Sequence, residues 1–301
     1  MTAADVTFGG LGRFGVDYNE ANKPKPDTNE VNLTSRLRLQ VDMSAESNAG
    51  VMFSARFRAQ AEERDGNQKA ASWNSGHFGV GINSTVGTVK LEFENISGAI
   101  DSMPIYLPTK SVATGIDGMG FYSQVVRAGF DGYSSDGAGA NNGVNLKYSM
   151  GPLGVHVSHS GTGGNDERTA AHVSYKIGGF TVAVGGQNGD KDNEDVTVAT
   201  LGGNLGFMEA GVGYSQNKNF AANGDDVDKV RVYGKITVSS ATNLVLWGAD
   251  EDPNGTNNAR DGGSFGIDLS HDLGGDVTFV AGFVDSNDDN QQAQAGVYFN
   301  F

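Results

Sequence analysis

Apolar and polar residues alternate with a period of two along most of this chain. Between residues 31 and 43 the odd positions carry the apolar side chains, interrupted only by Ser35, and every even position is polar. The same alternation returns at 6–18, 51–60, 144–150, 169–177, 230–238, 264–270 and 293–301. This period is typical of β-strands with one apolar face, whereas helices have a period of 3.6. With several weaker segments, the pattern predicts an all-β fold of about sixteen strands.

The connections between the predicted strands are long and short in turn. The long connections lie near residues 19–30, 62–72, 95–142, 161–168, 188–195, 216–228, 250–262 and 285–291. An up-and-down antiparallel sheet produces this order when one rim is elaborated and the other is trimmed. Such asymmetry is typical of a transmembrane β-barrel.

The placement of charge leaves two architectures open. In the clear strands every charged residue lies on the polar face. The apolar face is the core in a soluble sandwich, but it meets lipid in a membrane barrel whose polar face lines a lumen, and alternation alone does not separate the two. The even strand number favours the barrel, as does the removal of open sheet edges by closure. The mean hydropathy of −0.35 also suits a water-filled interior better than a large dry core.

Composition excludes several functional classes. The chain has 301 residues, a formal net charge of −15 and no cysteine. Its negative charge argues against nucleic-acid binding. The absence of cysteine excludes disulfides, thiolate metal sites and a cysteine nucleophile. No apolar run approaches the ~18 residues of a membrane-spanning helix. We expect a single domain over residues 1–301.

Five arginines lie on the polar face of the first three predicted strands. They are Arg13, Arg36, Arg38, Arg56 and Arg58, here called the arginine wall. Like charges directly opposite each other destabilise a sheet, so water, bound anions or acidic groups from elsewhere must offset the repulsion. The wall is interpreted as one side of a pore constriction. The alternatives are a solvated face of a soluble sheet and a specific anion site.

The pairing of the first strands decides which arginines meet. If Tyr18 pairs with Val31, the register brings Arg13 opposite Arg36. If the short connection 44–50 also pairs Met43 with Val51, Arg38 faces Arg56 and Arg36 faces Arg58. Neighbouring guanidinium groups would then lie about 5 Å apart across strands.

Three stretches of the sequence resemble a known family. They are 11–18 (LGRFGVDY), 33–39 (LTSRLRL) and the final 296–301 (GVYFNF). They are similar to the general diffusion porins of bacterial outer membranes, most closely the sixteen-stranded trimeric type of alpha-proteobacteria. The resemblance implies a sixteen-stranded antiparallel transmembrane β-barrel whose long third loop folds into the lumen. It also implies a homotrimer in the bacterial outer membrane, in contact with lipid and lipopolysaccharide.

The resemblance assigns a role to the connection 95–142. In the porin family the third outer loop narrows the barrel, and its acidic side chains face a basic cluster on the wall. By this resemblance Asp101 and Asp117 are the acidic candidates of the loop. Glu92 and Glu94, on the polar face of the preceding strand, are further candidates for the constriction. Lys110 adds a positive charge to the same loop.

Other motifs carry weaker signals. Asp190, Asp192, Glu194 and Asp195 form an acidic cluster in one long connection, and its oxygens suit a Ca²⁺ ion, although simple solvation of an exposed rim is the alternative. The five histidines form no zinc-hydrolase pattern. We expect no required cofactor.

The sequence thus predicts a passive channel for small hydrophilic solutes and ions, and not an enzyme. Two alternatives remain: a soluble acidic all-β binding protein such as a carbohydrate-binding module, and an outer-membrane barrel enzyme.

Overall fold

Strands make up nearly all of the regular structure. The computed structural model of the chain describes residues 5–23, 29–64, 67–73, 76–104, 142–161, 167–190, 195–218, 226–254, 261–287 and 289–301. The strands within these residues are β1 (Asp5–Asn19), β2 (Val31–Glu46), β3 (Val51–Arg64), β4 (Asn67–Trp73), β5 (His77–Ser84), β6 (Gly87–Glu94), β7 (Val144–Met150), β8 (Leu153–Ser160), β9 (Arg168–Ile177), β10 (Phe180–Gly189), β11 (Val196–Asn204), β12 (Glu209–Asn217), β13 (Val227–Ser239), β14 (Thr242–Pro253), β15 (Gly262–Gly274), β16 (Val277–Asp285) and β17 (Gln291–Asn300). A single 3₁₀ turn follows β1 at Glu20–Asn22. Among the described residues, no helix is long and apolar enough to cross a membrane.

The sheet closes on itself. Neighbouring strands pair antiparallel in chain order, and the last strand, β17, pairs with β1 from Leu11↔Asn300 to Asn19↔Gln292. The chain end completes the seam, because Gly10 N donates to Phe301 O at 2.8 Å and Phe301 N donates to Gly10 O at 3.2 Å. Closure leaves no open edge, which is the condition for a sheet in a membrane.

The seventeen segments occupy sixteen positions around the barrel. Both β4 and β5 pair with β3, and β5 also pairs with β6. These two segments therefore share one position, so the described strands form a sixteen-stranded barrel. The prediction of a sixteen-stranded antiparallel barrel is confirmed.

Exposure identifies the two faces of the barrel. The apolar parity points outward, as shown by Phe8 and Leu33, which are 73% and 72% exposed. The polar parity points into the lumen, where Arg13, Asp17 and Thr34 are buried. In water this arrangement would expose the apolar face to solvent. The barrel is therefore suited to a lipid bilayer, with a polar lumen inside.

The predicted register of β1 against β2 is confirmed, and that of β2 against β3 is wrong. Tyr18 pairs with Val31, and Arg13 faces Arg36. However, β2 continues to Glu46, which pairs with Met52, instead of ending at Met43. The reversal occurs at 47–50, where Gly50 adopts a positive φ of 77° and its N–H donates to Ser47 O at 2.9 Å. The slip is an even number of residues, so each arginine keeps its face but changes its partner.

The start of the long connection lies inside the barrel. Ile96, Ala99 and Ile100 are fully buried. Ala99 N donates to Ser158 Oγ at 2.8 Å, and Thr200 Oγ1 donates to Pro104 O at 2.8 Å. Since Ser158 and Thr200 lie on the lumen parity of β8 and β11, residues 95–104 fold into the lumen, as the resemblance implied. Residues 105–141 lie outside the described residues.

Candidate pore constriction

Across β2 and β3, Arg36 faces a glutamate and Arg38 faces a glutamine, and neither faces another arginine. Arg36 Nη2 lies 2.6 Å from Glu62 Oε2, and Arg36 Nε donates to the same oxygen at 3.0 Å. Arg38 donates through Nε and Nη2 to Gln60 Oε1 at 2.9 and 2.6 Å. The expected repulsion between β2 and β3 is therefore offset within the same two strands.

Arg56 and Arg58 on β3 have the same kind of partner on β2. Arg56 Nε lies 2.5 Å from Asp42 Oδ1, and Arg58 Nε donates to Gln40 Oε1 at 2.8 Å. Gln40 also donates through Nε2 to Asp42 Oδ2. The predicted juxtapositions of Arg38 with Arg56 and of Arg36 with Arg58 do not occur. Each of these four guanidinium groups has its acceptor on the neighbouring strand, which holds it in place, although Arg13 faces Arg36 across β1 and β2.

Arg13 is the most enclosed member of the arginine wall. It is 6% exposed and lies between Arg36 on β2 and Tyr298 on β17. Arg38 is also buried, at 8% exposure, whereas Arg36, Arg56 and Arg58 are half-buried. The three half-buried arginines are therefore the members that a solute in the lumen can meet.

Glu92 lies at the centre of a second charged group on the lumen face of β6 and β7. Its carboxylate is 2.6 Å from Lys90 Nζ and 2.7 Å from Lys147 Nζ. It also accepts a hydrogen bond from Asn145 Nδ2 at 3.0 Å and lies 3.6 Å from His77 Nε2. The Glu92 side chain is only 5% exposed. We call Lys90, Glu92 and Lys147 the lysine pair and its shared glutamate.

The other acidic candidates are placed differently. Glu94 ends β6 with a positive φ of 66°, is exposed, and accepts a hydrogen bond from Asn142 N at 3.4 Å. Asp101 is half-buried within the segment that folds into the lumen. Asp117 lies outside the described residues. The roles of all the predicted constriction residues stay predictions.

A cavity joins the two charged groups. It has a volume of about 460 Å³, and Arg56, Arg58, Lys90, Lys147 and Glu92 are among the residues that line it. Asn95 and Ser97, at the start of the inward-folded segment, line it too. The basic face of β3, the lysine pair and the beginning of the long connection thus enclose one polar space.

The opposite side of the lumen is closed to solvent. Lys229, Arg231 and Glu251 on β13 and β14 have no exposed surface, and Lys229 Nζ lies 3.5 Å from Glu251 Oε1. Trp247 is also buried there and donates from Nε1 to Asp268 Oδ2 at 3.2 Å. The cavity described above lies on the other side, beside β1–β7.

The predicted calcium ligands are only partly described. Asp195 Oδ1 accepts hydrogen bonds from Asn188 Nδ2 and Gly189 N at 2.9 and 3.0 Å, and Asp190 Oδ2 accepts one from Glu167 N at 3.2 Å. Asp192 and Glu194 lie outside the described residues. Within the described ranges, no group of three or more histidine and carboxylate side chains is placed to hold a metal ion. The calcium site stays a prediction.

Sequence reasoning missed several residues of the site. Gln60 and Glu62 complete the arginine wall, but the sequence pattern placed Glu62 in a long connection. Nothing in the sequence pattern singles out Lys90 or Lys147. They pair directly across β6 and β7, and the 55-residue separation between Glu92 and Lys147 hides this contact from the sequence.

Comparison with known proteins identifies the family. A sequence model of the Gram-negative porins matches residues 1–291 of the chain. The chain therefore belongs to the Gram-negative porin family.

Individual relatives agree in length and fold. A porin of Fuscovulum blasticum is 25% identical, and the match covers 99% of this chain and 100% of the relative. Solved structures of variants of Rh. blastica porin superpose with TM-scores of 0.78 and 0.77 at 22% identity, covering 99% of this chain and 100% of theirs. These structures share the barrel fold.

Family membership settles the class of function. The protein is a passive diffusion channel of the bacterial outer membrane, and its strands cross the membrane as a β-barrel. Neither the soluble binding module nor the barrel enzyme is supported by the comparisons.

Proposed function

We propose that small hydrophilic solutes and ions cross through the accessible side of the lumen, between the arginine wall and the inward-folded connection. The observation that carries this proposal is the cavity of about 460 Å³, which Arg56 and Arg58 line together with Asn95 and Ser97. Fixed charges on a water-filled constriction align polar solutes and hinder apolar ones, because an apolar solute would have to displace ordered water. Passage needs neither chemistry nor coupled energy.

The electric field across this constriction arises because the wall carries more arginines than carboxylates. Asp42 and Glu62 balance Arg56 and Arg36, whereas Arg38 and Arg58 donate to the neutral amides Gln60 and Gln40. Acidic residues of the long connection, Asp101 and Asp117, are proposed to supply the opposing charge. Glu94 is proposed to act at the outer mouth of the same passage.

A homotrimer is the proposed assembly, with the first and last strands at the subunit contacts. Phe8, Phe14 and Leu37 on the outer face of β1 and β2 are 73%, 57% and 57% exposed in the single chain. The remaining outer surface is proposed to meet outer-membrane lipid and lipopolysaccharide. Crosslinking in detergent tests the assembly: bands at three chain masses support it, and a monomer under all conditions contradicts it.

Recording from planar bilayers tests the channel. The purified protein is expected to give stepwise conductance increments that are linear in voltage. A reconstituted, folded protein that gives no conductance would contradict the proposal.

A further inference from the structure

Two lysines face each other in the lumen and share one carboxylate. Lys90 and Lys147 are direct partners across β6 and β7, on the lumen parity of both strands. Like charges in this relation destabilise a sheet. Glu92 lies between them, at 2.6 Å from one ammonium and 2.7 Å from the other. One negative charge cannot neutralise two positive ones, so the group keeps a surplus of one positive charge.

This surplus faces the cavity. The Glu92 side chain is 5% exposed, whereas those of Lys90 and Lys147 are 44% and 36% exposed. An ammonium group has three N–H donors. Glu92 accepts from one donor of Lys90 and from one donor of Lys147. The remaining donors are therefore available to a solute. Because Glu92 is buried, the ammonium groups of Lys90 and Lys147 are the part of this group that contacts solvent.

Basic residues also line the same cavity from β3, which is separated from β6 only by β5. Arg56 and Arg58 line it from β3. Asp42 pairs with Arg56, and the Arg58 guanidinium donates to a neutral amide, Gln40. Asp5 lines the cavity as well, so its acidic side chains are Asp5, Asp42 and Glu92. Two of these three are engaged by short contacts with cations, and the basic groups stand on β3, β6 and β7.

The neighbouring strand β5 carries glycines beside the lysine pair, on the same lumen face. Gly79 and Gly81 of β5 lie beside Lys90, whose Cε and Cγ would be 3.4 and 3.9 Å from a Cβ added at these two positions. The stem of Lys90 therefore lies along bare backbone. The volume of about 460 Å³ falls within the range of small-molecule sites.

We propose that this cavity is a transient binding site for small dianions, either phosphate or dicarboxylate, which bind to the lysine pair beside the basic residues of β3. The site rests on the proposed function, because the dianion reaches it as a permeating solute. Two charges on one solute match two separated basic groups, so a dianion gains more than chloride does. The channel would then hold such solutes briefly at the constriction instead of passing them unselected.

Current block tests the site. Potassium chloride currents are recorded through the wild-type channel while inorganic phosphate at pH 8, or succinate in a separate arm, is added. We expect saturable, concentration-dependent block, and the two arms show which dianion the site prefers. Lys90→Gln and Lys147→Gln are tested singly, because the other lysine then still pairs with Glu92. Each should raise the half-blocking concentration about fivefold, since charge-assisted hydrogen bonds are among the strongest available.

The matched control is Lys235→Gln. Lys235 lies on the lumen parity of β13 and pairs with Glu209 at 3.4 Å, away from the cavity. It should leave the half-blocking concentration unchanged. An unblocked wild-type current, or equal block in all variants, would overturn the site while the channel itself stands. Equilibrium dialysis of labelled phosphate against the detergent-solubilised protein gives a readout independent of conductance, and absence of binding there would also overturn the site.

Discussion

Arg36 and Glu62 lie directly opposite each other on β2 and β3, with Nη2 of the arginine 2.6 Å from Oε2 of the glutamate. Their side chains are 16% and 13% exposed. One positive charge of the arginine wall is thus balanced by an acid of the same wall. The charge that a permeating ion meets depends on how the arginines are paired, and not on their number alone.

Glu62→Gln should shift the channel toward anions. The substitution removes one negative charge and keeps an oxygen that accepts from Arg36. The expected rise in the chloride-to-potassium permeability ratio is at most about fivefold, since a unit charge at about 4 Å is worth about 1 kcal/mol in water. The reversal potential under a potassium chloride gradient measures this ratio. Glu63→Gln is the control, because Glu63 is the next residue and lies on the outer parity of β3. Equal shifts in both variants would contradict the assignment.

Replacing Arg36, Arg38 and Arg58 together with serine should widen the constriction. We expect a higher single-channel conductance and a shift of selectivity toward cations, because Glu62 then loses its cationic partner and faces the lumen. Single-channel recording and the reversal potential provide the two readouts. The same three positions changed to lysine keep the charge and should keep the selectivity of the wild type. No change in either quantity in the serine variant would place the constriction elsewhere.

The faces of the strands and the register of β1 against β2 could be predicted from the sequence, but the partners across β2 and β3 could not. A period of two survives an error of a few residues at a strand end, so the lumen-facing arginines were identified correctly. The register depends on where the turn falls, and the sequence pattern assigns residues 44–46 to the connection although β2 runs through them to Glu46. Because the turn was misplaced, the pairing of Arg36 with Glu62 and of Arg56 with Asp42 was not predicted.

The lysine pair shows a second limit. Lys90 and Lys147 lie on either side of the long connection, and no turn of defined length fixes their pairing. Only the closed sheet brings them together around Glu92. The inward fold of residues 95–104, by contrast, was implied by the family resemblance and not by any pattern in the connection itself.

Ser158 and Thr200 should hold the inward-folded segment in place. Ser158→Ala removes the acceptor of Ala99 N–H, and Thr200→Val removes the donor to Pro104 O. A buried backbone group left without its partner costs about 1–3 kcal/mol. We expect noisier single-channel currents and a lower unfolding temperature, measured by circular dichroism in detergent. Ser174→Ala, which removes a hydroxyl from the lumen parity of β9, is the control. Quiet currents in both anchor variants would show that the segment is held by other contacts.

Two glycines at the barrel seam should respond differently to the same substitution. A Cβ at Gly12 would lie 2.1 Å from Cζ of Phe299, and the three nearest atoms all belong to that ring. A Cβ at Gly10 would lie 2.6 Å from Cζ of Phe301 but also 2.2 Å from the backbone oxygen of Arg38. An aromatic ring can rotate away or be removed, whereas a paired strand backbone cannot move without breaking the sheet.

Gly12→Ala and Gly10→Ala should each destabilise the folded barrel, by about 1–3 kcal/mol where overpacking is relieved by small shifts. Adding Phe299→Ala should cancel most of the cost of Gly12→Ala, because the three atoms nearest to the new methyl group are then gone. Adding Phe301→Ala should not rescue Gly10→Ala, since the Arg38 oxygen remains. Urea unfolding in detergent gives the four free energies of each double-mutant cycle. Similar coupling energies in the two cycles would contradict this expectation, because they would mean that the strand backbone at Arg38 moves as easily as the aromatic ring of Phe299.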